Sequence, residues 1–220
     1  MSERRSAGTE LRPTNRRLES FSDGVFAIVI TIMVIEIHIP DRLATANDPV
    51  MLKQFAAVLF TYALSFLVIA NLWVSHHYLI FTLNRPTRSS IWYNNLLLFT
   101  VTLVPLTTRF LGMAPTSPRA AASYGAVAVA CTGAFMLLRS HAARRSHNEL
   151  HRSIHHRILR RTWLFISIYA ASIPLAFVST WLAWACFIVV PPMLFLPVIR
   201  ADMMPESEDD DHRGLERSCP

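Results

Sequence analysis

The sequence predicts an all-α membrane protein with six transmembrane helices per subunit and both termini in the cytoplasm. Three observations predict it. Charged side chains make up only 16% of the 220 residues and apolar ones 52%, whereas a soluble domain carries about 25% charged residues. The apolar residues are clustered, because segments 24–35, 55–83, 89–108, 120–138 and 162–199 contain no Asp, Glu, Lys or Arg. The basic residues gather in alternate connections between those segments, as the positive-inside bias leads one to expect. This composition excludes a conventional soluble enzyme. It also excludes a disulfide scaffold, since Cys131 and Cys186 fall within apolar segments and Cys219 is next to the end.

Crossing about 30 Å of hydrocarbon takes roughly 20 apolar residues. The first span is placed at 20–39, although Asp23 and Glu36 interrupt it. The second, third and fourth follow at 54–82, 90–110 and 120–139. The last uncharged run would be about 57 Å long as a single helix, nearly twice the hydrocarbon thickness. Pro174 and the pair Ser179-Thr180 offer places to bend, so the run reads as two helices, 161–178 and 181–199, joined by a tight turn. Residues 1–17 then form a basic cytoplasmic tail, 18–200 the membrane domain, and 201–220 an acidic tail expected to be disordered.

The chain has 21 Lys and Arg residues. Five lie in the N-terminal tail, seven in the connection after the fourth span and three in the C-terminal tail. With both ends inside, seventeen fall on the cytoplasmic side and four outside, and an odd helix count would break the alternation. Arg16-Arg17 followed by a short apolar stretch and Ala44-Thr45-Ala46 superficially resembles a cleavable signal. Asp23, Glu36 and Pro40-Asp41-Arg42 argue against that reading. The net charge of +6 comes from loops flanking helices, with no nucleic-acid motif, so it reads as topology and not as nucleic-acid binding. Arginine outnumbers lysine twenty to one, which suggests a GC-rich bacterial genome and hence the bacterial plasma membrane.

The first span is unusually polar. An ionisable group inside the membrane costs a few kcal/mol and needs a partner or a purpose. At 100° per residue, Ile28, Ile32 and Ile35 fall on one stripe, flanked by Thr31, while Asp23 points about 140° away. Topology places Asp23 at the same depth as Trp73, His76 and His77 of the second span and Asn94 and Asn95 of the third. A buried hydrogen-bond layer of Ser22, Asp23, His76 or His77, and Asn94 or Asn95 is therefore expected, with Arg17 just below it. Such a layer serves helix packing before anything else.

The same residues carry a resemblance. RLESFSDGVFAIVITIMVIEI, from Arg17 to Ile37, resembles the RxxxFSD signature and first helix of the transmembrane protein 175 family of potassium channels. LWVSHHYLIF and NNLLLFTVTLVP resemble the second and third helices of that family. The resemblance implies a homotetramer in the lipid bilayer, with the first helix of each subunit lining a central potassium pore. It also implies that no cofactor is needed beyond the permeant ion. By position, the aliphatic constriction falls on Ile28, Ile32 and Ile35, and the threonine layer on Thr31. Arg17, Phe21, Ser22, Asp23, Trp73, His76, His77, Asn94 and Asn95 form the signature and its packing layer. No TVGYG-like string for a carbonyl filter occurs in the chain. Gly24 stands where alanine is common in the family.

A ring of isoleucines would gate by dewetting, and the Thr31 hydroxyls would offer oxygens to a partly dehydrated potassium ion. Glu36, near the outer end, either contributes to an acidic outer vestibule together with Asp41 and Asp48 or merely reaches the headgroups. His147, His151, His155 and His156 have helical metal-ligand spacing. The separate histidine boxes of membrane oxygenases are lacking, however, so neither a metal site nor an enzyme is expected. A basic helical extension facing anionic headgroups accounts for that segment. Two alternatives stand beside the channel. One is a small proton-coupled transporter using Asp23, His76 and His77, and the other is a noncatalytic scaffold.

Overall fold

The computed structural model describes residues 15–37, 48–81, 86–144 and 149–195, with side chains omitted for 149–157, 194 and 195. These residues form α1 (Asn15–Ile35), α2 (Pro49–Phe81), α3 (Arg88–Thr102), α4 (Val104–Met113), α5 (Pro118–Ala143), α6 (Glu149–Val178) and α7 (Thr180–Phe195). Five stretches are long and apolar enough to cross a membrane: 15–35, 49–81, 88–113, 118–143 and 158–178. The sixth apolar helix, Thr180–Met193, is shorter. The described residues hold helices and no strand, and the five long apolar stretches mark an integral membrane protein. The two tails beyond 15 and 195, His147, and the side chains of His151, His155 and His156 lie outside the described residues. So does Asp41.

The helix ends differ from expectation where local chemistry acts. α1 starts at Asn15, several residues before the apolar run, and ends at Ile35. Asp48 caps α2, its carboxylate accepting from the Val50 N–H at 2.9 Å, which gives this residue of the expected acidic vestibule a capping role. The third span is two helices and not one. Pro105 lacks the N–H that would reach back one turn, and its ring crowds the carbonyl four residues earlier. The chain tightens at Leu103, whose N–H instead bonds the Thr100 carbonyl at 3.2 Å. α3 opens on Thr87, whose side chain accepts from the Ser90 N–H, and Thr87 also meets His141 at 3.3 Å near the end of α5. The bend in the last apolar run falls at Ser179. Pro174 stays inside α6.

Two apolar cores hold the bundle. One joins α1, the second half of α2, α3 and the second half of α5 around Phe26, Leu97, Val101 and Leu138. The other joins α4, α5, α6 and α7 around Leu111, Tyr124, Tyr169 and Phe187. A buried polar cluster links α2, α4 and α5: Thr108 donates to Ser65 Oγ at 2.8 Å, and Ser65 and Tyr124 share a 3.0 Å bond. Trp184 donates its indole N–H to the Pro115 carbonyl at 2.9 Å and so ties α7 to the α4–α5 connection.

α5 and α6 approach closely at Gly125. A Cβ there would lie 2.5 Å from Ser172 Oγ and 3.3 Å from Ile173 Cγ1. Ser172 is fully buried and its hydroxyl is committed to the Tyr169 carbonyl at 2.6 Å. Overpacking of this kind costs about 1–3 kcal/mol. Gly125→Ala is expected to lower the melting temperature of the detergent-solubilised protein, and adding Ser172→Ala to restore most of the loss. An unchanged melting temperature in the single variant would show that the helices can part without cost.

Candidate functional site

α1 has two unlike faces. Leu18, Ser22, Phe26, Val29 and Met33 recur at spacings of three and four and are buried against the bundle. Opposite them, Ile28 is 59% exposed, Ile32 41% and Ile35 76%. Thr31 is exposed on the same side. Its hydroxyl donates to the Ala27 and Ile28 carbonyls at 3.1 and 2.9 Å. The hydrogen is thus held against the helix backbone, and the oxygen lone pairs remain to face whatever lies outside the helix.

The rotation of α1 is set by a directional chain of buried hydrogen bonds. His76 Nε2–H donates to Asn94 Oδ1 at 2.7 Å, and Asn94 Nδ2 donates to Ser22 Oγ at 2.9 Å. The Ser22 hydroxyl donates to the Leu18 carbonyl at 2.8 Å. Ser22 and Asn94 are fully buried and His76 is 1% exposed, with Phe26 packed on the imidazole at 5.6 Å. With the Asn94 carbonyl as acceptor, the imidazole is the Nε2–H tautomer; its Nδ1 has no partner among the described residues. This chain joins α1, α2 and α3 at three points of one layer.

A second, shallower set lies beside the first. Trp73 donates its indole N–H to Asp23 Oδ1 at 2.8 Å, and His77 Nδ1 meets Glu19 Oε1 at 3.2 Å. The expected layer thus divides. His76 and Asn94 enter the buried chain. His77 turns to Glu19, a partner that the sequence reading missed, and Asn95 is exposed. The i,i+1 spacing of each pair requires this, since neighbours on a helix point about 100° apart.

Arg17 and Phe21 also depart from the expected layer. Both are exposed, Phe21 at 59%. They fall within about 20° of Ile28 around the helix, so they continue the outward stripe towards the N-terminal end and do not pack beneath Asp23. A Cβ on Gly24 would meet nothing within 4 Å, so the glycine is not demanded by packing within the chain. At the other end of α1, Arg109 Nη1 of α4 donates to Glu36 Oε2 at 3.3 Å. Glu36 is therefore ion-paired to α4. Its sequence signal was a lone charge at the end of one apolar run facing another at the end of the third.

The buried chain predicts a contrast between adjacent residues. Asn94→Leu strands the His76 donor and removes the donor to Ser22, at about 1–3 kcal/mol for each unsatisfied group. Asn95→Leu, on the exposed face, should change stability by less than about 0.5 kcal/mol. Melting followed by size-exclusion chromatography should therefore show a clear loss only for Asn94→Leu. Equal melting temperatures would remove the chain as the anchor of α1.

The profile of a family described as endosomal/lysosomal potassium channel TMEM175 matches residues 17–105, which contain nearly all of α1, then α2, α3 and the start of α4. A potassium channel of Chryseobacterium sp. is 30% identical over 84% of this chain and 94% of its own length. A potassium channel of Chamaesiphon minutus is 31% identical over 79% of this chain and 90% of its own. The fold matches the crystal structure of a lysosomal potassium-selective channel TMEM175 homolog from Chamaesiphon minutus with a TM-score of 0.71 and 28% identity. That match covers 84% of this chain and 98% of that one. These relatives are ion channels and not enzymes. With its signature segment, its fold and nearly the full length of its relatives in common, the chain belongs to the TMEM175 family of potassium channels.

Proposed function

We propose that the chain is the subunit of a homotetrameric, potassium-permeable channel whose pore is lined by α1 and constricted by rings of Ile28, Ile32 and Ile35. The observation that carries this reading is the two-faced α1: a pinned polar and aromatic face, and an exposed aliphatic stripe with Thr31 beside it. Four such stripes meeting on an axis form an apolar constriction that closes when the side chains touch and water leaves. Opening requires α1 to tilt or rotate until a partly hydrated ion passes. Thr31 supports selectivity, because its committed hydroxyl hydrogen leaves oxygen lone pairs to replace some of the water that the ion sheds. No carbonyl-lined filter takes part in this scheme. The groove lined by Ile28, Ile32, Leu106 and Arg109 adjoins the stripe and offers a seat for a neighbouring subunit. Residues 18–200 form the channel domain between a basic tail and an acidic one, in the bacterial plasma membrane with both tails inside.

The proton-coupled alternative has less support. His76 bonds Asn94 and His77 bonds Glu19, so Asp23, His76 and His77 do not form one continuous relay. Ion flux separates the two. In liposomes under a potassium gradient, Ile28→Asn is expected to hydrate the ring, raise basal potassium flux severalfold and weaken discrimination against sodium. Unchanged flux would remove Ile28 from the conduction path. Asp23→Ala, which breaks the bond to Trp73, is expected to reduce the yield of assembled protein before it alters selectivity. A fully assembled Asp23→Ala protein with altered selectivity would instead place the carboxylate in the ion's path.

A further inference from the structure

On the far side of the bundle from the Ile28 stripe, α2, α5, α6 and α7 enclose a cleft of about 110 Å³. It contains a gradient of chemistry along the membrane normal. Arg161 lines it one turn into the spanning part of α6, where the basic connection 144–161 meets the bilayer. The guanidinium sits over the Phe165 ring at 5.4 Å, which holds the arginine side chain against α6. A second arginine, Arg139 of α5, lies behind the wall. It is 6% exposed, its guanidinium is over Phe135 at 5.0 Å, and it donates to the carbonyl of Ser75, itself a lining residue, at 3.5 Å.

Tyr169 lines the same cleft eight residues further along α6, about 12 Å deeper. It is 2% exposed, and its hydroxyl has no hydrogen-bond partner among the described residues. A buried hydroxyl left unpaired in hydrocarbon costs about 1–3 kcal/mol. Thr132 and Thr162, the latter beside Arg161, also line the cleft, and both have given their hydrogens to backbone carbonyls, at 2.7 and 2.9 Å. Cationic mouth, polar collar and apolar walls follow the order of groups in a phospholipid: anionic phosphate, glycerol esters, acyl chain.

We propose that this cleft is a binding site for one anionic phospholipid of the leaflet that faces the basic loops. Arg161 holds the phosphate, the Tyr169 hydroxyl donates to an ester carbonyl, and the acyl chains continue deeper than Tyr169 along the apolar wall. Basic pockets between membrane helices at this depth recognise headgroups in the same way. The occupant stiffens α2 and α5 against α6. Since α2 also carries Trp73 and His76, it couples the lipid to the helix that anchors α1. The binding claim does not depend on what the pore conducts.

The test is lipid retention by the purified full-length protein in detergent, read by native mass spectrometry after addition of phosphatidylglycerol or phosphatidylcholine. Arg161→Gln is compared with Arg160→Gln, which removes an exposed charge one residue away. Wild type and Arg160→Gln are expected to retain phosphatidylglycerol severalfold more than phosphatidylcholine, with Arg161→Gln losing that preference. Absence of a preference in wild type, or equal losses in both variants, would overturn the site in favour of diffuse surface attraction. If Arg161→Gln does not fold, Thr132→Leu decides, because it narrows the cleft without touching charge. Wild-type retention in that variant overturns the proposal, and reduced retention supports it. Inorganic phosphate should not raise the melting temperature as phosphatidylglycerol does; an equal rise would assign the site to the free anion.

Discussion

Hydrocarbon offers a polar side chain no partner, so each polar group in a membrane helix must find one within the protein. In this protein the chain His76–Asn94–Ser22 meets that requirement for three helices at once. It can do so only when α1 presents Ser22 to Asn94. Leu18, Phe26, Val29 and Met33 then follow inward by helical geometry, and Ile28, Ile32 and Ile35 outward. The orientation of the proposed pore face is thus a consequence of one buried network on the opposite side of the same helix. That network is directional, each donor spent on a single acceptor, which fixes rotation more firmly than apolar packing alone.

Exposure by itself does not distinguish a pore from a lipid-facing surface. Aromatic and aliphatic side chains also project outward from the rest of the bundle, among them Trp92, Phe99, Leu106 and Phe177. α1 differs in how it is held. Its N-terminal half is tied by Ser22, Asp23 and Glu19 to α2 and α3, and its C-terminal end by Glu36 to Arg109 of α4. A helix clamped at both ends moves by tilting or rotating between its clamps. Ile28 and Ile32 lie in that middle stretch, where in the proposed tetramer such motion changes their separation most, while Ile35 adjoins the Glu36 clamp. The half-exposed Glu36–Arg109 pair contributes little to stability, about 0–1 kcal/mol, so it can be exchanged during the proposed gating motion at small cost. The buried chain cannot.

Much of this was legible in the sequence, for a physical reason. A membrane span needs length and apolarity, and both are counted directly from residues, so the helices fell near their expected places. The outward stripe followed from the 100° rotation. Depth was also legible: alternating topology put Asp23, Trp73, His76 and Asn94 in one layer, and the bonds join those residues. What topology could not supply was azimuth between helices. It left His76 and His77 equivalent, and Asn94 and Asn95 too, until packing fixed which of each pair faced inward. The same lack grouped Arg17 and Phe21 with the packing layer, although the wheel already placed them beside Ile28. The break at Leu103 was present in the sequence as Pro105, read through because the surrounding apolar run was long enough to span unbroken. The Ser65–Tyr124–Thr108 cluster and the Arg161 cleft depend on helices distant in sequence, and no periodicity announces them.

The central claim is that the Ile28 face of α1 borders the ion path. Cysteine accessibility tests it most directly. In protein with Cys131, Cys186 and Cys219 replaced by alanine, Ile28→Cys is compared with Phe177→Cys on the exposed face of α6. Both are placed in liposomes, and potassium flux is followed before and after a small thiol-reactive cation is added. The account predicts that the reagent blocks flux through Ile28→Cys and leaves Phe177→Cys unaffected. Flux through a modified Ile28→Cys at its original rate, or block only at Phe177→Cys, would contradict it.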